Sequence, residues 1–270
     1  PFQIFLRRLR AKRIFSDIEP PYTVAHQGIT GFKWPEGSQV GVLLTHDVET
    51  SRGFDQIKSM LEVEREHKVE SCWNFVAGKY AIPEGIIDEI RALGHEIGVH
   101  GIKHDGKLFS SYETFTVRLK EMKRFAFLNG IHGFRSPSML YNSNMMRSLD
   151  FSWDSSMPAW DPFQPQQGGC RSYFPFMLNQ NCVELPVTLW QDFTVFEELQ
   201  MDYIDVWINQ ISYISEIGGL INVITHPDYM NRSRLRHYSE LVSHIKKNCD
   251  AWITTPNVMA DWVRSTLVAR

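Results

Sequence analysis

From residue 40 onward the chain repeats one pattern: a short apolar run, then a stretch with helical spacing. VGVLLT (40–45) precedes FDQIKSMLEVEREHK (54–68), and VESCWNFVAG (69–78) precedes PEGIIDEIRALG (83–94). HEIGVH (95–100) precedes SYETFTVRLKEMKRFAFLNG (111–130). IHGFRS, LDFSWDSS and CVELPV follow, then helical DYIDVWINQISYISEIGG (202–219), LINVITH (220–226), helical SRLRHYSELVSHIKKN (233–248) and AWITT running into PNVMADWVRS. Short apolar runs bounded by turn signals read as strands buried on both faces. Pro83 and Gly94 bracket one helix, and Ser111 and Gly130 another, as start and stop signals. Strand–helix alternation this regular predicts a parallel sheet with helices outside. The number of runs predicts a distorted or incomplete (β/α) barrel of about seven parallel strands.

With 270 residues, 43% of them hydrophobic, the chain can bury one large core without dividing. The expected organisation is a lead segment (1–39), one main domain (40–264) and a short tail (265–270). A net charge of −3 gives no reason to expect a nucleic-acid partner. The basic cluster LRRLRAKR (6–13) reads as a solvated surface helix, because one short basic face binds bilayers weakly. No apolar run approaches the roughly 20 residues of a spanning helix. No signal peptide is visible, which predicts a cytoplasmic protein. Cys170 and Cys182 flank RSYFPFMLNQN, which reads as a hairpin and would allow a cross-strand disulfide. Free thiols are the expectation, since a chain of this size needs no staples.

In parallel α/β folds chemistry gathers at the C-terminal ends of strands. Here each such end carries an ionisable residue: Asp47 and Glu49, His100 and His104, Arg135, Asp154, and His226. Singly these read as caps, surface charges or loop histidines. Together they converge on one mouth. His100 and His104 are four apart, so a helical turn there would put both on one face, able to chelate one ion. Two imidazoles and a carboxylate make a metal site that leaves positions open for water and substrate. Asp47 and Glu49 are two apart, so on an extended strand end both face the same way. His95 begins its strand, far from the mouth, and reads as structural. Trp153, Trp160 and Trp190 lie between these positions, where aromatics are more often core than sugar platforms.

LLTHDVE, GHEIGVHGIKH, FRSPS and INVITH resemble, in order, the motifs of NodB-type polysaccharide deacetylases (carbohydrate esterase family 4). The resemblance covers about residues 40–264, and its second motif is the most specific. It implies a distorted (β/α) barrel, a divalent metal, usually zinc, and hydrolysis of an N-acetyl group on a carbohydrate, here expected in cell-surface glycan metabolism. It implies Asp47 as the base that activates water, His100 and His104 as ligands, Arg135 as the residue that orients Asp47, and His226 as the acid for the departing amine. An acidic residue near His226 would keep it protonated; Asp154 is the candidate, with Asp161 and Asp192 as rivals. The chain departs from the usual form at Val48, where the family commonly has a second aspartate. Some subfamilies space the two acids by one residue, as here. The third ligand is then Glu49 or His46, or the metal is lost; strand alternation favours Glu49. Two other readings share these residues: hydrolysis of another C–N bond in a small cyclic amide, and a catalytically dead carbohydrate-binding domain.

Overall fold

The computed structural model describes residues 2–27, 32–201 and 204–268. Along the chain run α1 (Phe2–Phe15), β1 (Val40–Val48), α2 (Phe54–His67), β2 (Cys72–Phe75), α3 (Ile86–Ala92) and β3 (Glu96–Val99). Next come α4 (Tyr112–Leu128), β4 (Gly133–Phe134), α5 (Ser143–Met146), β5 (Trp153–Asp154), β6 (Phe176–Met177) and β7 (Val183–Glu184). The chain closes with α6 (Asp205–Ile217), β8 (Leu220–Thr225), α7 (Arg232–Asn248), β9 (Ala251–Ile253) and α8 (Pro256–Val268). The helix expected at 202–219 thus starts at Asp205; residues 202 and 203 lie outside the described ones.

The sheet order is β6-β7-β5-β4-β3-β2-β1-β8, with β9 beside the start of β1. All pairings are parallel except β6 with β7. The architecture is the expected incomplete (β/α) barrel, with more strands than the seven foreseen. Several are only two residues long, too short to leave a periodic signal. β1 is the spine: Val40–Val42 pair with β9, Gly41–His46 with β8, and Thr45–Val48 with β2. Every residue of β1 is buried. That is why its first part, VGVLLT (40–45), reads as an apolar run rather than an alternating one.

Between β7 and β8 the barrel closes without a ladder. The N–H groups of Thr188 and Leu189 donate to the Asn222 carbonyl (3.1 and 3.2 Å). The Asn222 amide nitrogen reaches back to Leu185 O, Pro186 O and Ser155 Oγ (3.0, 3.1 and 3.0 Å). A buried asparagine thus satisfies backbone groups that an open sheet edge would leave unpaired.

The helices form where the sequence signals place them. Ser111 Oγ accepts from Thr114 N at 3.0 Å, capping α4. Trp153 and Trp190 are buried in the core, not in a sugar groove. The lead segment packs on the barrel: Ala11 and Trp34 are buried, and α8 runs from Pro256 to Val268, into the region expected to be a tail. All four cysteines are free thiols. The antiparallel pair is Phe176–Met177 with Val183–Glu184, so Cys182 borders the hairpin and Cys170 lies outside it. Among the described residues no helix is long and apolar enough to cross a membrane.

Candidate active site

A cavity of about 680 Å³ opens at the C-terminal ends of the strands. Its floor holds Asp47, Glu49, His100, His104 and His226. Asp47 is the next-to-last residue of β1, and Glu49 follows the strand end. Because the strand stays extended through Val48, alternation carries past Asp47 and both carboxylates face the cavity. The turn is fixed from behind by Asp228, whose oxygens accept the N–H groups of Glu49 (2.9 Å) and Thr50 (2.8 Å).

His100 and His104 reach the cavity from the end of β3. The segment between them is a loop, not the helical turn the spacing suggested. Gly101 takes φ of 73° there, a left-handed conformation that costs glycine little. Asp105 anchors the loop to α4 through a bidentate pair with Arg118 (2.7 and 2.8 Å). The two imidazole centroids come within 5.4 Å. Asp105, although adjacent to His104, is therefore a brace.

The ligand-type atoms of Glu49, His100 and His104 all lie within 4.8 Å of one another. His100 directs Nδ1 at the Arg135 carbonyl (3.1 Å), which leaves its buried Nε2 without a hydrogen-bond partner. His104 Nε2 is buried too, and although Glu49 Oε1 is 2.8 Å away the pair does not make a hydrogen bond. Two orphaned imidazole nitrogens and a carboxylate, converging on a common point, suit a divalent ion, since buried polar atoms are rarely left unpaired. Burial, opposed only in part by nearby carboxylates, depresses the His100 pKa to about 4, so its imidazole is neutral and able to ligate at pH 7. Glu49 is pulled down to about 2: burial would raise it, and contact with His104 and the charge of His226 more than offset that.

His46 does not face the cavity. It is fully buried, with Nδ1 against Thr225 Oγ1 and Nε2 against Glu64 Oε1, both at 2.7 Å. It points outward from β1, toward Glu64 on α2 and Tyr238 on α7. His95 joins the same network, accepting from Ser71 N at 3.1 Å.

Asp47 Oδ1 accepts from Asn74 Nδ2 (2.8 Å) and from Arg135 (3.1 Å). Its Oδ2 lies 3.8 Å from His100 Nε2. Burial would lift its pKa, but His100, Arg135, His226 and the Asn74 amide hold it well below the usual carboxylate range. At neutral pH, with His100 uncharged, the Arg135 guanidinium and protonated His226 carry that effect. Arg135 is itself fully buried, fixed by Ser155 O (2.8 Å), Ser155 Oγ (2.7 Å) and Thr45 Oγ1 (2.7 Å). Asn74 is the in-register partner of Asp47 on β2. Gly98 on β3 makes room for it: a Cβ there would sit 1.9 Å from Asn74 Oδ1. The only signal of Asn74 in the sequence is a polar residue inside the apolar run CWNF.

His226 follows the end of β8 and lies 3.8 Å from Glu49 through its Nε2. Its partner is Asp192, not Asp154. Asp192 Oδ1 takes His226 Nδ1 at 2.5 Å, and Oδ2 accepts the His226 backbone N–H at 2.8 Å. Burial would lower the pKa of His226; the Asp192 carboxylate, with Glu49 and Asp47 adding, pushes it up to about 10. Asp154 instead faces Glu184, its cross-strand partner on β7, and accepts from Ser156 Oγ at 2.6 Å. Asp161 is spent on its own loop, with Phe163 N and Gln164 Nε2 both at 2.8 Å.

No protein-family model matches the chain, and no curated relative does. Solved structures do. A Mycobacterium smegmatis protein assigned as a polysaccharide deacetylase superposes with a TM-score of 0.69 at 19% identity, over 89% of this chain and 95% of that one. PuuE allantoinase gives 0.68 at 14% identity, over 93% and 95%. The peptidoglycan deacetylase PdaC from Bacillus subtilis gives 0.53 at 12%, over 86% and 94%. At these identities the likeness establishes the fold, that of the NodB-type, carbohydrate esterase family 4 barrel.

Proposed function

We propose that the chain is a metal-dependent hydrolase that removes N-acetyl groups from a sugar or polysaccharide. One observation carries this reading: a ligand set of Glu49, His100 and His104 shares a cavity with a buried carboxylate, Asp47, and a buried imidazole, His226. The mixed nitrogen and oxygen donors suit Zn²⁺, which supplies Lewis-acid polarisation of the acetyl carbonyl when bound. An amide is a poor electrophile and an amine a poor leaving group, so hydrolysis needs a proton removed from water and another delivered to nitrogen.

Asp47 takes the first proton through Oδ2, while Asn74 and Arg135 fix Oδ1 and keep the carboxylate ionised. His226 delivers the second to the departing nitrogen, and Asp192 keeps the imidazole charged and oriented. One water hydrogen passes to Asp47 as the water oxygen bonds to the acetyl carbon; the C–N bond then breaks with the His226 proton going to nitrogen, and after proton exchange acetate and the sugar ammonium result. Placing a base and an acid on opposite sides of the scissile bond is worth about 10²–10⁴-fold for each proton transfer. His46 is not part of this assignment, because both its nitrogens are bonded elsewhere.

The test is acetate release across N-acetylated mono- and oligosaccharides, with a cyclic amide in the same panel and zinc content measured. Zinc-dependent acetate release supports the reading. Turnover of the cyclic amide alone would move the chain to that chemistry, and no turnover by a zinc-loaded protein on any substrate would leave the dead-domain reading.

A further inference from the structure

Helix α1 lies along one side of the catalytic cavity, and its inner face is tied down. Ala11 is buried, Ile14 and Phe15 pack against the core, and Arg8 donates to Glu197 O at 2.9 Å and to Glu197 Oε2 at 3.3 Å. Arg234 holds the other oxygen of Glu197 at 2.6 Å. On this anchored helix Arg7 and Arg10 line the same cavity as Asp47, Glu49 and His226. Unlike Arg8, neither makes a hydrogen bond or an ion pair with any described residue. They are three residues apart, so they share a helix face and can converge on one group. The segment carries Arg7, Arg8, Arg10, Lys12 and Arg13 and no acid, in a chain whose net charge is −3. Positive charge is therefore concentrated where a substrate enters. Glu198 lines the cavity as well. Burial, with the charge of Asp161 adding, raises its pKa to about 7 against the lowering charges of Arg7 and Arg10, so near neutral pH it is in part protonated and only partly offsets those two guanidiniums.

We propose that the substrate carries a phosphate group on its sugar, and that Arg7 and Arg10 bind this phosphate and so aim the N-acetyl group at Asp47 and His226. This rests on the deacetylase reading. Two guanidiniums with unused donors match a dianionic tetrahedral group better than a neutral glycan, because Arg–phosphate bonds are charge-assisted and often bidentate. The phosphate has two sources of the same chemistry: a soluble sugar phosphate, or the head of a lipid carrier. The outer face of α1 bears on that choice, since Ile4, Phe5, Leu6 and Leu9 are 48–55% exposed there.

Calorimetric titration of the full chain, with and without zinc, would compare N-acetylglucosamine 1-phosphate, N-acetylglucosamine and inorganic phosphate. The zinc-free arm separates phosphate on arginine from phosphate on the ion. The sugar phosphate should bind about tenfold or more tightly than the neutral sugar. Arg7→Gln/Arg10→Gln should abolish that preference, Arg7→Lys/Arg10→Lys should keep part of it, and Arg13→Gln, outside the cavity, should keep all of it. Equal binding of the two sugars, with inorganic phosphate binding that the glutamine pair leaves unchanged, overturns the proposal. Vesicles of phosphatidylcholine carrying a polyprenyl-phosphate N-acetylglucosamine distinguish the sources. Tighter binding there, lost in Phe5→Ser/Leu9→Ser while soluble sugar phosphate binding persists, assigns the lipid; affinity equal to that in solution assigns the free phosphate. Acetate release is scored separately. Phosphate binding without turnover leaves the subsite standing and the deacetylase reading fallen, and rapid release from neutral sugars regardless of Arg7 and Arg10 does the reverse.

Discussion

Asp192 sets the charge of His226. Both its oxygens are engaged by that one residue, at 2.5 and 2.8 Å, and it opposes burial strongly enough to hold the imidazole near a pKa of 10. A raised histidine pKa keeps the acid form available up to that value and loses it above. Asp192→Asn removes the largest raising influence, so the alkaline limb of the pH–rate profile should move to lower pH by more than one unit; a limb that stays in place refutes the role. Asp47→Asn should cut kcat by about 10² or more while zinc content stays at the wild-type level, because the ligands are other residues. Elemental analysis beside turnover checks both halves, and loss of zinc contradicts the assignment. These roles differ in how far the sequence reveals them. Asp47, His100, His104, Arg135 and His226 stand at strand ends inside motifs, where position alone marks them. Asp192 is one of four aspartates in the sequence between β5 and β8, and nothing in periodicity says which loop folds back onto His226, 34 residues away. Asn74 belongs to no motif, since its role comes from register with Asp47.

The helices and long strands follow from apolar spacing and capping residues, which act locally. What spacing cannot supply is the path of a loop or the partner of a two-residue strand. The His100–His104 segment shows the first limit: four-residue spacing fits a helix, yet Gly101 and the Asp105–Arg118 brace build a loop that presents the same two nitrogens. The Asp154–Glu184 pair shows the second, because two carboxyls meet only once β5 and β7 are known to be neighbours. Burial, and then the charge of Asp154, push Glu184 well above its ordinary value of 4.5, which favours a protonated carboxyl beside Asp154. A carboxyl with a raised folded pKa contributes stability that is full below 4.5 and lost as pH rises above it. Stability should therefore fall as pH rises above 4.5, by up to about 1.4 kcal/mol per unit from this group. Glu184→Gln keeps a donor toward Asp154 and an acceptor for Met157 N–H, so it should flatten that slope in urea titrations across the range. Parallel slopes for the two proteins would show that the pair does not share a proton.

At the scale of the molecule, the proposed zinc ligands come from the end of β1 and the loop after β3, so an ion would join two separate segments of the barrel. An ion bound only by the folded state stabilises it by mass action, about 2.7 kcal/mol at a hundredfold excess over Kd. The thermal midpoint should rise with added zinc, and Glu49→Ala should lose most of the rise; a midpoint indifferent to zinc would contradict the ligand set. The barrel itself was legible over residues 40–264 because alternation extends across all of them, while the lead segment held no sign that its helix borders the cavity. That placement depends on Glu197 and on core residues far along the chain. The central position of β1 has a further consequence, in time. One edge of β1 pairs with β8, and His46 meets Thr225 across 179 residues of chain. A ribosome adds roughly 5–20 residues per second, so β1 emerges roughly ten seconds or more before the strand that closes that edge. Glu49, His100 and His104 are all translated in the first part of that interval, whereas His226 arrives only at its end. The nascent chain thus carries its complete set of proposed metal ligands well before it can have its proposed acid.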